Sequence, residues 1–120
     1  MQAELLCGAT AIPVTVPDQA TLLEMKPVAS LPDPEAAISL ALGQPIASPP
    51  LAELARGKHT ACIVISDITR PVPNRLILPP MLQTLENAGI ERDNITILIA
   101  TGMHRPNLGQ ELEALVGPDI

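Results

Sequence analysis

The chain has 120 residues, a formal net charge of −6 and no Phe, Tyr or Trp. One ordinary domain fits this length, and its core has to be built from Leu, Ile, Val, Ala and Met. The missing rings exclude a base-stacking platform; the acidic balance, with no Lys/Arg run, argues against nucleic acid or an anionic membrane as partner.

The N-terminal "MQAELLCG" lacks the basic start and long apolar core of a signal peptide. No apolar run approaches the roughly 20 residues that span a bilayer, and a cytoplasmic location is expected. Cys7 and Cys62 form no CxxC pair and are expected as reduced thiols, with Cys62, inside an apolar run, a small buried hydrophobe. The fourteen prolines are scattered as turn and helix-start residues, not gathered in a PxxP tract.

In chain order, "AIPVTV" (11–16) and "TLLEM" (21–25) read as short strands joined by "PDQA", which makes residues 1–28 a hairpin region. A helix follows over 34–42, with Asp33 to cap it, Pro34 at its first position, Glu35 at its positive end and Gly43 as its stop. "PPLAELARG" predicts a second, short helix ending before Gly57. "TACIVIS" (60–66) is apolar throughout its centre, the pattern of a parallel strand covered on both faces.

"NRLILPPMLQTLENAG" (74–89) predicts a helix stopped by Gly89. Pro79 and Pro80 predict a kink or a fresh helix start within it, since an interior proline costs roughly 3 kcal/mol. "NITILIA" (94–100) is the next strand. Asn107 is expected to cap the last helix, with Gln110 completing a capping box and Gly117-Pro118 closing it.

The order strand, helix, strand, helix over 60–116 predicts an α/β fold, a Rossmann-like parallel sheet core with a βαβ unit, preceded by the N-terminal β-hairpin. Ligands of such sheets bind beyond the carboxyl ends of the strands. Two unusual loops, "SDITRP" (66–71) and "TGMHRP" (101–106), lie at those ends and are expected to share one crevice.

In the first loop, Arg70 offers a planar fork for a carboxylate or phosphate, and Pro71 restricts its backbone; the alternative is a surface arginine paired with Asp67. Asp67 could orient a neighbouring His or Arg, or cap loop amides. Thr69 could donate to an anion, or close an ST-turn. In the second loop, His104 lies off any apolar face, with a reference pKa suited to proton transfer near neutral pH. Gly102 permits a tight turn or close ligand approach, and Arg105 adds positive charge. His59 reads as a strand-boundary residue. There is no GxGxxG, P-loop or metal-ligand spacing, and Ser66 lacks the context of a nucleophile elbow.

Together, "LAELARGKHTACIVISDITRPVPN" and "ITILIATGMHRPN" with "ELEALVG" resemble the N-terminal domain of the lactate racemases, nickel-pincer-nucleotide-dependent 2-hydroxyacid racemases and epimerases. The resemblance is best over 51–117 and weak over the first 45 residues. It implies that 1–120 is one domain of a longer racemase, partnered by that protein's C-terminal domain and acting on a small 2-hydroxy acid. In that family the cofactor's pyridinium ring accepts a hydride from the substrate's α carbon while a histidine takes the hydroxyl proton. The family's D-x-x-R falls on Asp67 and Arg70, the arginine holding the substrate carboxylate, and its loop histidine falls on His104, one of two acid/bases. The second histidine, the tethering lysine and the nickel-binding histidine fall beyond the matched region. The resemblance therefore leaves the cofactor-binding residues unknown, and implies no metal ligands in this fragment and no activity from it alone. The alternatives are a non-enzymatic module binding small anions through the same loops, or a structural domain.

Overall fold

In the computed structural model, which describes residues 1–8, 10–118 and 120, the chain forms two compact units, Met1–Ser30 and Leu31–Ile120. The first holds an antiparallel hairpin of Gln2–Cys7 (β1) and Thr10–Thr15 (β2), in register from Gln2↔Thr15 to Cys7↔Thr10. The hairpin therefore forms one strand earlier than the sequence suggests, and Thr21–Met25 takes no strand. Gly8 at φ +62 supplies the positive φ that a tight hairpin connection favours, whereas "PDQA" has no glycine and folds as a turn in which Ala20 N–H donates to Pro17 C=O. The terminal ammonium pins the open end, on Asp18 Oδ1 at 2.6 Å and Val16 C=O at 2.9 Å.

The second unit runs Pro34–Gly43 (α1), Leu51–Ala55 (α2), Ala61–Ser66 (β3), Asn74–Asn87 (α3), a 3-10 turn at Arg92–Asn94, Ile95–Ala100 (β4) and Gln110–Val116 (α4). α1 starts where Asp33 predicts, its Oδ1 accepting from Ala36 N–H at 2.9 Å. β3 and β4 pair in parallel, from Ala61↔Ile95 to Ser66↔Ala100, with α3 as the connection between them. The α/β class, the parallel βαβ core and the N-terminal hairpin are those the sequence predicts.

One expectation fails inside this unit. The central run of β3 does not lie between two covered faces. Ile63 and Ile65 point into a core with Leu78, Leu82 and Leu85 of α3, Ile90, and Leu115 and Val116 of α4, while Ile95, Ile97 and Ile99 of β4 pack against it from the same side. The opposite face carries Cys62, Val64 and Leu98, with Val64 63% and Leu98 47% exposed. Cys62 is thus exposed, not buried, because α3 and α4 both pack on the face from which it points away. An uninterrupted apolar run cannot show by itself which of its two faces this chain covers.

Of the two outcomes predicted for Pro79 and Pro80, the fresh helix start does not occur; α3 runs unbroken across them. Their missing N–H groups leave the carbonyls of Arg75 and Leu76 without helical donors, but both residues face solvent. Thr84 Oγ1 donates to Pro80 C=O at 2.7 Å. Burial of Leu78, Leu82 and Leu85, spaced on one helix face either side of the pair, fixes the helix to the sheet and outweighs the local penalty.

This one-sided packing predicts opposite outcomes for two truncations. Leu78→Ala, at 1% exposure, should cost about 2–5 kcal/mol of unfolding free energy, and Val64→Ala should stay within about 0.5 kcal/mol of wild type. Urea denaturation of both variants checks the difference.

Candidate functional site

Because β3 and β4 are parallel and Ser66 lies opposite Ala100, the chain leaves the sheet at adjacent points, into Asp67 on one side and Thr101 on the other. Each exit folds at once into a four-residue turn closed by one backbone hydrogen bond. Arg70 N–H donates to Asp67 C=O at 3.2 Å, and His104 N–H donates to Thr101 C=O at 3.0 Å. Gly102 takes φ +58 inside the second turn, with open space where a side chain would stand, so backbone conformation and not crowding calls for glycine. Arg70 and His104 occupy equivalent turn positions.

Asp67 is 4% exposed, and a buried carboxylate has to be compensated. Its Oδ1 accepts from Thr69 N–H at 3.2 Å and from Thr69 Oγ1 at 2.6 Å. Its Oδ2 accepts from His104 Nδ1 at 2.5 Å. The Thr69 hydroxyl first, and His104 next, hold the Asp67 carboxyl below the ordinary aspartate range. An ionised carboxylate only accepts, so the imidazole carries hydrogen on Nδ1, and Nε2 is left as the ring nitrogen free to meet a reactant. The His104 side chain is about half exposed, whereas its partner is buried.

Arg70 does not pair with Asp67. Among the described residues its guanidinium has no hydrogen-bond or ion-pair partner, and it borders an open cleft of about 310 Å³ together with Ser66, Asp67, Thr101, Gly102 and His104. Arg105 is differently placed: Nη1 and Nη2 donate to the two carboxylate oxygens of Glu111, both at 2.7 Å. That fork, with Asn107 behind it, lowers the Glu111 carboxyl from its ordinary 4.5 to about 2. Thr69, its hydroxyl hydrogen given to Asp67, closes the turn. His59 is exposed ahead of β3, at the end of the strand away from the cleft.

Asn107 does not cap α4, and Gln110 completes no capping box. The N-cap of α4 is Gly109 at φ 57, without a side-chain bond. Asn107 is instead buried between the loops, accepting from Ile68 N–H and donating to Glu111. Its suitability as a helix cap conceals this role in the sequence, and no local pattern points to a bond across 39 residues. Asn74, in the first turn of α3, is a second residue the sequence does not single out. It is buried, and its Nδ2 has no hydrogen-bond partner among the described residues.

Those residues also include no group of three or more His, Cys, Asp or Glu placed to hold a metal ion, and no helix long and apolar enough to cross a membrane. The cleft offers one free guanidinium and one oriented imidazole, a set suited to holding a small anion and moving one proton.

The acid limb of stability follows from the two lowered carboxyls. A group whose folded pKa lies below its unfolded value stabilises fully above the unfolded pKa and loses that contribution as pH falls through the folded one. For Glu111 the window runs from 4.5 down to about 2, and Asp67 acts in the same direction. Urea midpoints should therefore drop progressively below pH 4.5, and Glu111→Gln or Asp67→Asn should each flatten part of that slope.

The sequence profile of the lactate racemase N-terminal domain family matches residues 7–120. The lactate racemase of Lactiplantibacillus plantarum is 46% identical over 83 residues, 69% of this chain and 19% of that protein. The lactate racemase of Thermoanaerobacterium thermosaccharolyticum is 42% identical over 83 residues, with the same coverage of 69% and 19%. The solved structure of the lactate racemase apoprotein from T. thermosaccharolyticum superposes with a TM-score of 0.72 at 35% identity, covering 99% of this chain and 28% of that one. The chain thus spans a minor part of the relatives it matches.

Proposed function

The chain belongs to the lactate racemase N-terminal domain family, and from that premise we propose that its two loops form half of an active site acting on a small 2-hydroxy acid. The observation that carries the reading is the Asp67–His104 hydrogen bond beside an uncommitted Arg70 in one cleft.

Arg70 binds the substrate carboxylate, its two parallel N–H donors suited to a planar anion. His104, held through Nδ1 by Asp67, exchanges the hydroxyl proton through Nε2. Thr69 and Arg105 serve the site indirectly, by holding Asp67 and Glu111. Inverting the carbon also requires moving its hydrogen, and with His104 engaged on the hydroxyl proton, Asp67, Arg70 and His104 offer no acceptor for a hydride. The nickel–nucleotide cofactor implied by the family resemblance would supply a hydride acceptor when bound. The described residues contain no group of three or more side chains placed to hold its metal, and the roles read here for this chain are carboxylate binding and proton transfer.

The remainder of a longer racemase would complete the site and cover the bare sheet face. Two features support that part of the reading. The outer face of β3 and β4 is apolar and exposed at Val64 and Leu98. A further hollow of about 450 Å³ runs beside β4, lined by Leu82, Ile97, Ile99, Leu112 and Val116 among others. We read the parallel pair as part of a larger Rossmann-like sheet, and the chain by itself as inactive.

An open half-site leaves much of its ligand in water, so D- or L-lactate should bind the chain only at about millimolar Kd. The shifts in an NMR titration should centre on amides 66–74 and 101–108, and Arg70→Lys should weaken them. Shifts confined to other regions at high lactate would overturn the reading.

Grafted in place of the matching segment of the L. plantarum enzyme, the chain should support racemisation. There His104→Ala should lower kcat by about 10²–10⁴-fold, and Arg70→Lys should chiefly raise KM. Undiminished turnover of the His104 variant would remove that residue from the reaction.

A further inference from the structure

Asn107 is 6% exposed, and both halves of its amide are engaged. Oδ1 accepts from Ile68 N–H at 3.2 Å, and Nδ2 donates to Glu111 Oε2 at 3.3 Å. The Ile68 N–H belongs to the peptide unit that begins at Asp67, and the carbonyl of that same unit accepts from Arg70 N–H. One peptide plane is therefore gripped on both edges, by its own turn and by the opposite loop. The Asp67 carboxylate hangs from one end of it, and the turn carrying Arg70 is closed on its oxygen.

We propose that Asn107 is a positioning residue for the Asp67–His104 pair, fixing the peptide after Asp67 so that the carboxylate meets the imidazole and Arg70 faces the same cleft. The inference rests on the half-site reading for its functional meaning, while its geometric content stands without it. Side-chain chemistry explains the choice of residue. Leucine has a similar volume but neither bonds Ile68 nor answers Glu111. Aspartate accepts from Ile68 as asparagine does, but meets Glu111 as a like charge. Glu111 is in turn held by the Arg105 fork, so the second loop and the start of α4 brace the amide from behind.

The test uses the 120-residue chain without ligand and reads two signals, the hydrogen exchange of the Ile68 amide and the imidazole ¹⁵N shifts of His104. In Asn107→Leu, Ile68 should exchange about five- to tenfold faster, the scale of one net hydrogen bond. The His104 ring nitrogens should move toward the tautomer-averaged shifts of a free imidazole. Asn107→Asp, which keeps the acceptor, should restore Ile68 protection and the ring signal even if Tm falls. A purely structural role would lower Tm in Asn107→Leu and leave both signals at wild-type values, and that result overturns the proposal. Should Asn107→Leu fail to fold, Asn107→Asp decides alone: loss of both signals in that folded variant also overturns it. Because neither signal needs a ligand, signals that follow this pattern in a chain that binds no lactate support the positioning role while defeating the half-site reading.

Discussion

Asp67 sits at the point where an apolar strand ends and a buried charge begins, and the surrounding loops are arranged around that charge. A carboxylate so enclosed needs donors on each oxygen to offset its lost hydration. Thr69 supplies two for one oxygen and His104 supplies one for the other. In satisfying the carboxylate, the chain also fixes which nitrogen of His104 carries hydrogen. The electrostatic need of one residue becomes the orientation of another.

The parallel register makes this economical. Two strands that end level with one another release their loops side by side, and a four-residue turn in each then brings Arg70 and His104 to matching positions after the strand ends. Repetition of "R-P" in the two loops suggests a different correspondence, Arg70 with Arg105. Counted from the strand ends, Arg105 lies one residue further on and turns instead to Glu111. The two arginines thus differ in kind: one is free at the cleft, and the other is bound in a bidentate pair that supports the loop.

The scaffold beneath is packed from one side only. α3 and α4 cover the face carrying Ile63, Ile65, Ile97 and Ile99, and the apolar residues between them stay exposed. Burial of Leu78, Leu82 and Leu85 carries α3 across two consecutive prolines, which shows how far tertiary packing can override a strong local signal. Even so, the carboxyl end of the sheet is well braced. Asn107 ties the first loop to the second, and Glu111 ties the second loop to α4.

Local patterns in the sequence determine a good deal here. Strand and helix positions over the second half follow from apolar runs bounded by Gly and Pro. The α1 start follows from Asp33, and the place of the candidate site follows from polar residues set immediately after two strands. Those features depend on neighbours close in the chain, so they can be read from it. The hairpin register, the exposed side of Cys62, the continuity of α3 and the engagements of Arg70, Arg105 and Asn107 depend on which distant groups arrive within bonding distance. Asn107 is a good cap by composition and becomes a loop latch because Ile68, 39 residues away, presents an N–H to it. Asp67 has several candidate partners in sequence, and the level ending of β3 and β4 selects His104 among them.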